Sequence, residues 1–194
     1  TGLAGAKGFD CSCVTAKKMI NLDSEEEWQV TAGCAGGSRT EVDITYEAEN
    51  IPAEYTCIDI SVTGLSGGHS GAEIHCGKTN AIIAMGRLLS AAFEKHSFNV
   101  VSVTCNGKDN AIARECFATV ATENADAVID TVLCEAERIR PELSADDAGF
   151  TVSAKKTAAV EKMLKEKIIN KKNMKRIVKT LRKKLYYIKW EKLS

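Results

Sequence analysis

His69 stands in Gly67-Gly68-His69-Ser70-Gly71, and the small neighbours on both sides bring backbone close and let an imidazole project into a site. A hydrogen-bonded loop histidine is the competing reading. Asp23 ends the apolar run Lys18–Leu22 and opens Asp23-Ser24-Glu25-Glu26-Glu27. A carboxylate at the carboxyl end of a strand lies where α/β enzymes gather ligands, metal ions included. The same Asp-x-x-Glu spacing also caps a helix, so ligand and cap both stand. Asn110 follows Asn106-Gly107-Lys108-Asp109 at the entry to a strand, where Asn is first a turn residue. Arg114, on that strand, is either a clamp for a carboxylate or an exposed cation. His75, between Ile74 and Cys76, and His96, after Lys95 at a helix end, read as structural or solvated. Neither GxxxxGK[ST] nor GxGxxG occurs, so the glycines of 64–77 do not form a nucleotide phosphate loop.

These residues need elements to position them. Tyr55–Thr63 is a β run, Asn80–Lys95 carries apolar residues at helical spacing, and Asn99–Cys105 is a strand closed by a turn at Asn106-Gly107. Glu115–Ala121 is a further strand, Asp126–Ile139 an amphipathic helix stopped by Pro141, and Gly149–Ser153 a last strand. The order β-α-β-β-α-β is that of a ferredoxin-like unit, four antiparallel strands with both helices on one face. Lys18–Leu22, Gln29–Ala32 and Arg39–Tyr46 read as strands left over from it, belonging to another, incomplete sheet. The expected organisation is α/β (α+β): residues 1–50 a partial catalytic domain, 51–153 the ferredoxin-like domain, and 154–194 a basic amphipathic helical tail.

Composition separates the tail from the body. From Lys155 to Ser194 there are fifteen Lys and Arg against three acids, and this basic surplus cancels the acidic surplus of the preceding residues to a net charge of zero. Met174, Ile177, Leu181, Leu185 and Ile188 share one helical face there. Only Tyr186, Tyr187 and Trp190 are aromatic among them, which argues against a specific nucleic-acid reader. The chain has no run of eighteen apolar residues and no secretory leader at its start, and it does not begin with Met, so an upstream portion is expected. Its eight cysteines include no CxxC pair, and Cys57 and Cys105 lie in apolar runs, which predicts reduced, packed thiols and a cytoplasmic setting.

Taken in order, MINLDSEEE, GCAGG, GLSGGHSGAEIHCGKTNAI and NAIARECFA resemble the Xaa-His (aminoacyl-histidine, PepD-like) dipeptidases of the di-zinc aminoacylase and carboxypeptidase clan, from Thr1 to about Val152. The resemblance implies a two-zinc catalytic domain interrupted by a lid made of ferredoxin-like halves, and hydrolysis of small Xaa-His dipeptides in the cytoplasm. It implies that Asp23 is a zinc ligand, that His69 is the lid histidine that polarises the scissile carbonyl, and that Asn110 and Arg114 handle the substrate's carboxylate end. Two departures stand out, Ala113 where the family usually has Pro and Trp28 where it usually has Gly. The family's general-base glutamate and its other ligands match no residue here, so the chain is expected to be inactive by itself. The alternative is a non-catalytic lid or interaction module with a cationic tail, self-associating through exposed strand edges.

Overall fold

The computed structural model describes residues 5, 8–18, 20, 27–30, 48–105, 108, 110–157 and 167–169. Asp23, the expected strands at Lys18–Leu22 and Arg39–Tyr46, the Asn106-Gly107 turn and the Met174–Ile188 stripe lie wholly or mostly outside them. The chain divides into two units, Thr1–Val42 and Asp43–Ser194. In the first, a short 3-10 turn at Cys11–Cys13 is capped by Asp10, whose carboxylate accepts from the Ser12 amide at 2.9 Å. Trp28 takes φ of 64°, the left-handed region that glycine enters freely and a bulky side chain does not. That is the conformation the expected glycine would have suited.

The second unit carries the architecture. Its strands are β1 (Ala48–Asn50), β2 (Thr56–Thr63), β3 (Gly68–His69), β4 (Asn99–Cys105), β5 (Ala111–Ile112), β6 (Cys116–Thr122), β7 (Thr151–Lys156) and β8 (Lys167–Ile169), with helices α1 (Ala81–Lys95) and α2 (Ala125–Ile139). The main sheet has the order β4-β6-β2-β7, every neighbouring pair antiparallel. Together with the element order β2-α1-β4-β6-α2-β7, this is the ferredoxin-like topology.

Local sequence explains why these elements form. In β2, alternation turns Ile58, Ile60 and Val62 toward the helices and leaves Asp59 exposed. Helix α1 starts at Asn80, whose side chain accepts from the Ile82 amide at 2.9 Å. It buries Ile82, Met85, Leu88, Leu89 and Ala92 at three- and four-residue steps. Helix α2 is capped in the same way by Asn124 and buries Val128, Val132, Ala136 and Ile139. Both helices share one apolar cluster with the inward residues of β2, β4 and β6, including Val100, Val103 and Val120, which puts them on the same face of the sheet. A smaller cluster of Ile51, Cys57 and Ala121, with Tyr55 and Val101 against it, covers part of the other face.

The structure departs from the sequence expectation at the carboxyl side. The last sheet strand runs from Thr151 to Lys156, so Lys155 and Lys156, expected to open the tail, sit opposite Asp59 and Ile58 in the ladder. The reason is that Gly149 is taken up in a close approach to Gly64 and Phe150 in the core, so extended pairing begins only after them. Lys167–Ile169, expected within a helical tail, is instead a strand paired antiparallel with Ala48–Asn50. Two adjacent β-branched residues beside an unpaired strand backbone favour the extended state over the helix.

Candidate functional site

Four small devices bring the chemistry-bearing residues of the second unit together. The segment leaving β2 at Gly64 makes one short rung of ladder at β3 before returning to the start of α1 at Ala81. In that ladder β3 pairs antiparallel with β5, His69 opposite Ala111 and Gly68 opposite Ile112. The Ser70 amide then donates to the Asn110 carbonyl at 3.1 Å, so His69 and Asn110 occupy adjoining loops joined backbone to backbone. Ala113 is buried, and its carbonyl accepts from the Ala81 amide at 2.9 Å, which ties the 110–114 segment to the first turn of α1. Proline at Ala113 would keep that acceptor, so the departure from the family pattern leaves this anchor intact. Arg114 lies over Gly67, where an added Cβ would fall 2.2 Å from its Cγ, and donates through Nε to the Leu65 carbonyl at 3.3 Å.

The His69 ring is exposed yet held. Its Nδ1 accepts from the Gly71 amide at 3.2 Å and the Ala72 amide at 3.1 Å. Two donors aimed at one ring nitrogen make that nitrogen the acceptor, so the neutral imidazole carries its proton on Nε2. The loop below it is also fixed. The His69 amide donates to Glu73 Oε2 at 2.6 Å, the Glu73 amide returns to the His69 carbonyl at 3.1 Å, and Lys78 pairs with Glu73 Oε1. The Lys78 ammonium and the His69 amide together hold the Glu73 carboxyl below its ordinary range. The arrangement presents an outward N–H from a rigid loop, which is what a carbonyl-polarising donor requires.

Asp147 was not among the residues that drew notice as sequence. It is fully buried, and its Oδ1 accepts from the Ser66 amide at 2.9 Å and the Ser66 hydroxyl at 2.8 Å. Its Oδ2 accepts from the Thr79 amide at 2.7 Å and, at 3.5 Å, from the Ser144 hydroxyl. Gly64-Leu65-Ser66-Gly67-Gly68 has the GxSxG spacing of a nucleophile elbow, but the Ser66 hydroxyl is spent on this carboxylate and no histidine ring bonds to it. His96 bonds through Nε2 to the Thr131 hydroxyl at 2.8 Å, linking the end of α1 to α2, and His75 Nε2 lies 3.7 Å from the Cys76 sulfur. Among the described residues no three His, Cys, Asp or Glu side chains gather as a metal site would require. Asp23 lies outside those residues. Nor, among them, is any helix long and apolar enough to cross a membrane.

A scan against protein-family profiles finds no match. Over 145 residues the chain is 35% identical to the cytosol non-specific dipeptidase of Escherichia coli (strain K12), a match that takes in 74% of this chain and 30% of that one. Its fold superposes on the crystal structure of aminoacylhistidine dipeptidase from Vibrio alginolyticus with a TM-score of 0.64 and 26% identity, over 72% of this chain and 28% of that one. The chain thus spans less than a third of the length of either relative. The motifs, the β-α-β-β-α-β unit and both comparisons agree in relating this chain to the aminoacyl-histidine (PepD-like) dipeptidases, as a stretch of that family's sequence.

Proposed function

We propose that residues 51–156 act as one lid half of a cytoplasmic metallodipeptidase that hydrolyses Xaa-His dipeptides, with His69 as the donor to the scissile carbonyl. The observation that carries this reading is the Nδ1 of His69, occupied by the Gly71 and Ala72 amides so that the exposed Nε2 keeps the proton. A hydrogen bond from that N–H strengthens as the carbonyl oxygen becomes an oxyanion, which lowers the barrier rather than only tightening binding. In this reading Asn110, on the adjoining loop, and Arg114, whose Nε donates to the Leu65 carbonyl, handle the carboxylate end of the same dipeptide. The reduced thiols among the described cysteines fit the cytoplasm.

Zinc enters this reading through Asp23 alone, and one carboxylate does not hold a pair of cations. The described residues add no ligand set, so no step of the reaction is assigned to metal in this chain. The pure chain is accordingly expected to hydrolyse no Xaa-His dipeptide with zinc, cobalt or manganese; hydrolysis abolished by a chelator would overturn that expectation. The role of His69 is tested in a full-length active relative by replacing the matching histidine with alanine. Turnover should fall by about 10²–10³-fold, the usual loss for one oxyanion donor, with zinc content unchanged. Loss of zinc would make the histidine a ligand and refute its role as a carbonyl donor.

A further inference from the structure

The loop from Gly64 to Asn80 is closed at its base by a group that the reaction itself does not use. Ser66 and Thr79 stand at its two ends, thirteen residues apart in sequence, and both donate to the buried carboxylate of Asp147, one to each oxygen. A buried carboxylate without partners is expensive, so its presence here implies that all its acceptor capacity is needed. An amide cannot substitute: asparagine offers one oxygen, and its NH2 would face an N–H at whichever end the oxygen does not serve. Within the loop the same logic continues upward. Lys78 bonds Glu73, Glu73 accepts the His69 amide, and the Gly71 and Ala72 amides reach the His69 ring. Fixing the two ends shortens the free segment, and only a segment of defined shape keeps two successive amides aimed at one ring nitrogen.

We propose that Asp147 is a positioning residue for His69: by clamping both ends of the Gly64–Asn80 loop it holds the His69 Nδ1 as an acceptor and so keeps the proton on the outward Nε2. This rests on the reading of His69 as the carbonyl donor, but its test does not use activity, so the two can fail separately. The full 194-residue chain, labelled with ¹⁵N-histidine, has only His69, His75 and His96 to resolve. Tautomers are read from the ring-nitrogen shifts, and amide hydrogen exchange is followed at Ser66 and Thr79. In the parent chain His69 should show the Nε2–H tautomer. Asp147→Asn should convert it to a mixture, leave His96 on its Thr131 bond unchanged, and speed exchange at Ser66 or Thr79 by about tenfold to a hundredfold.

Val132→Ala, a cavity at a buried α2 position outside the Gly64–Asn80 loop, serves as a control for lost stability. It should loosen the fold without moving the His69 tautomer. Should Asp147→Asn fail to fold, Ser66→Ala removes only the hydroxyl donor and should speed exchange at Thr79 and Ser66 by about twofold to tenfold, with the same direction of change at His69. A His69 that keeps a single Nε2–H tautomer in whichever of these variants folds, or shifts equally in Val132→Ala, would overturn the assignment and leave Asp147 as a structural carboxylate.

Discussion

Two glycines offer a direct measurement of the close approach that shapes the site. Gly64 and Gly77 both have left-handed backbones, with φ of 78° and 71°. Their surroundings differ. A Cβ at Gly64 would lie 1.9 Å from the Gly149 carbonyl oxygen, whereas nothing lies within 4 Å of one at Gly77. Alanine in this region of φ costs about 1–2 kcal/mol at either position. At Gly64 the obstructing atom is backbone, and it lies next to the rung pairing Thr63 with Thr151, so relief must draw β7 away from β2. Overpacking of that kind adds about 1–3 kcal/mol. Gly77→Ala should therefore lose about 1–2 kcal/mol and Gly64→Ala about 2–5 kcal/mol, the difference isolating the contact. In a domain of this size each kcal/mol lowers Tm by about 4–8 °C. Urea melts of both variants followed by far-ultraviolet circular dichroism give the comparison, since the change in unfolded-chain entropy is common to both. Equal losses would refute the close approach of the two strands' ends at Gly64 and Gly149.

Further tests concern ionisation. Burial alone would raise the Asp147 carboxyl, but the Ser66 and Thr79 amides, with the Ser66 hydroxyl, outweigh it and hold it below its ordinary value of 3.8. Its folded value being depressed, the stability it contributes is full above 3.8 and fades as pH falls through the lower folded value. The stability gap between the parent and Asp147→Asn should thus hold steady from roughly pH 5 to 8 and shrink in more acidic urea melts; a gap that widens on acidification would refute the assignment. The Cys116 thiol is pushed up to about 12, by burial first and by neighbouring Cys105 second. With iodoacetamide near about pH 8, peptide mapping should find exposed Cys11, Cys13, Cys76 and Cys134 alkylated in the native chain, and buried Cys57 and Cys116 only after unfolding. Labelling of Cys116 as fast as Cys134 would contradict its place in the core.

Much of the second unit was legible before any coordinates. The β run of Tyr55–Thr63 and the three- and four-residue steps in α1 and α2 are local signals, and local signals fix element type. Element order then limited the topology, because β-α-β-β-α-β closes into few sheets with both helices on one side. His69 stood out because glycines crowd around it, and Asn110 and Arg114 because a known family carries them. Three things were decided only by tertiary structure. The end of β7 was misplaced because pairing with β2 is a long-range register, and Lys155 and Lys156 read as tail until a partner strand was beside them. Lys167–Ile169 extended against Ala48–Asn50, more than a hundred residues away, which no helical periodicity could foresee. Asp147, the second acid of Ser144-Ala145-Asp146-Asp147, drew no notice as sequence. Only folding delivers Ser66 and Thr79 to its two oxygens, and a hydrogen bond between residues 68 or 81 apart leaves no trace in local sequence.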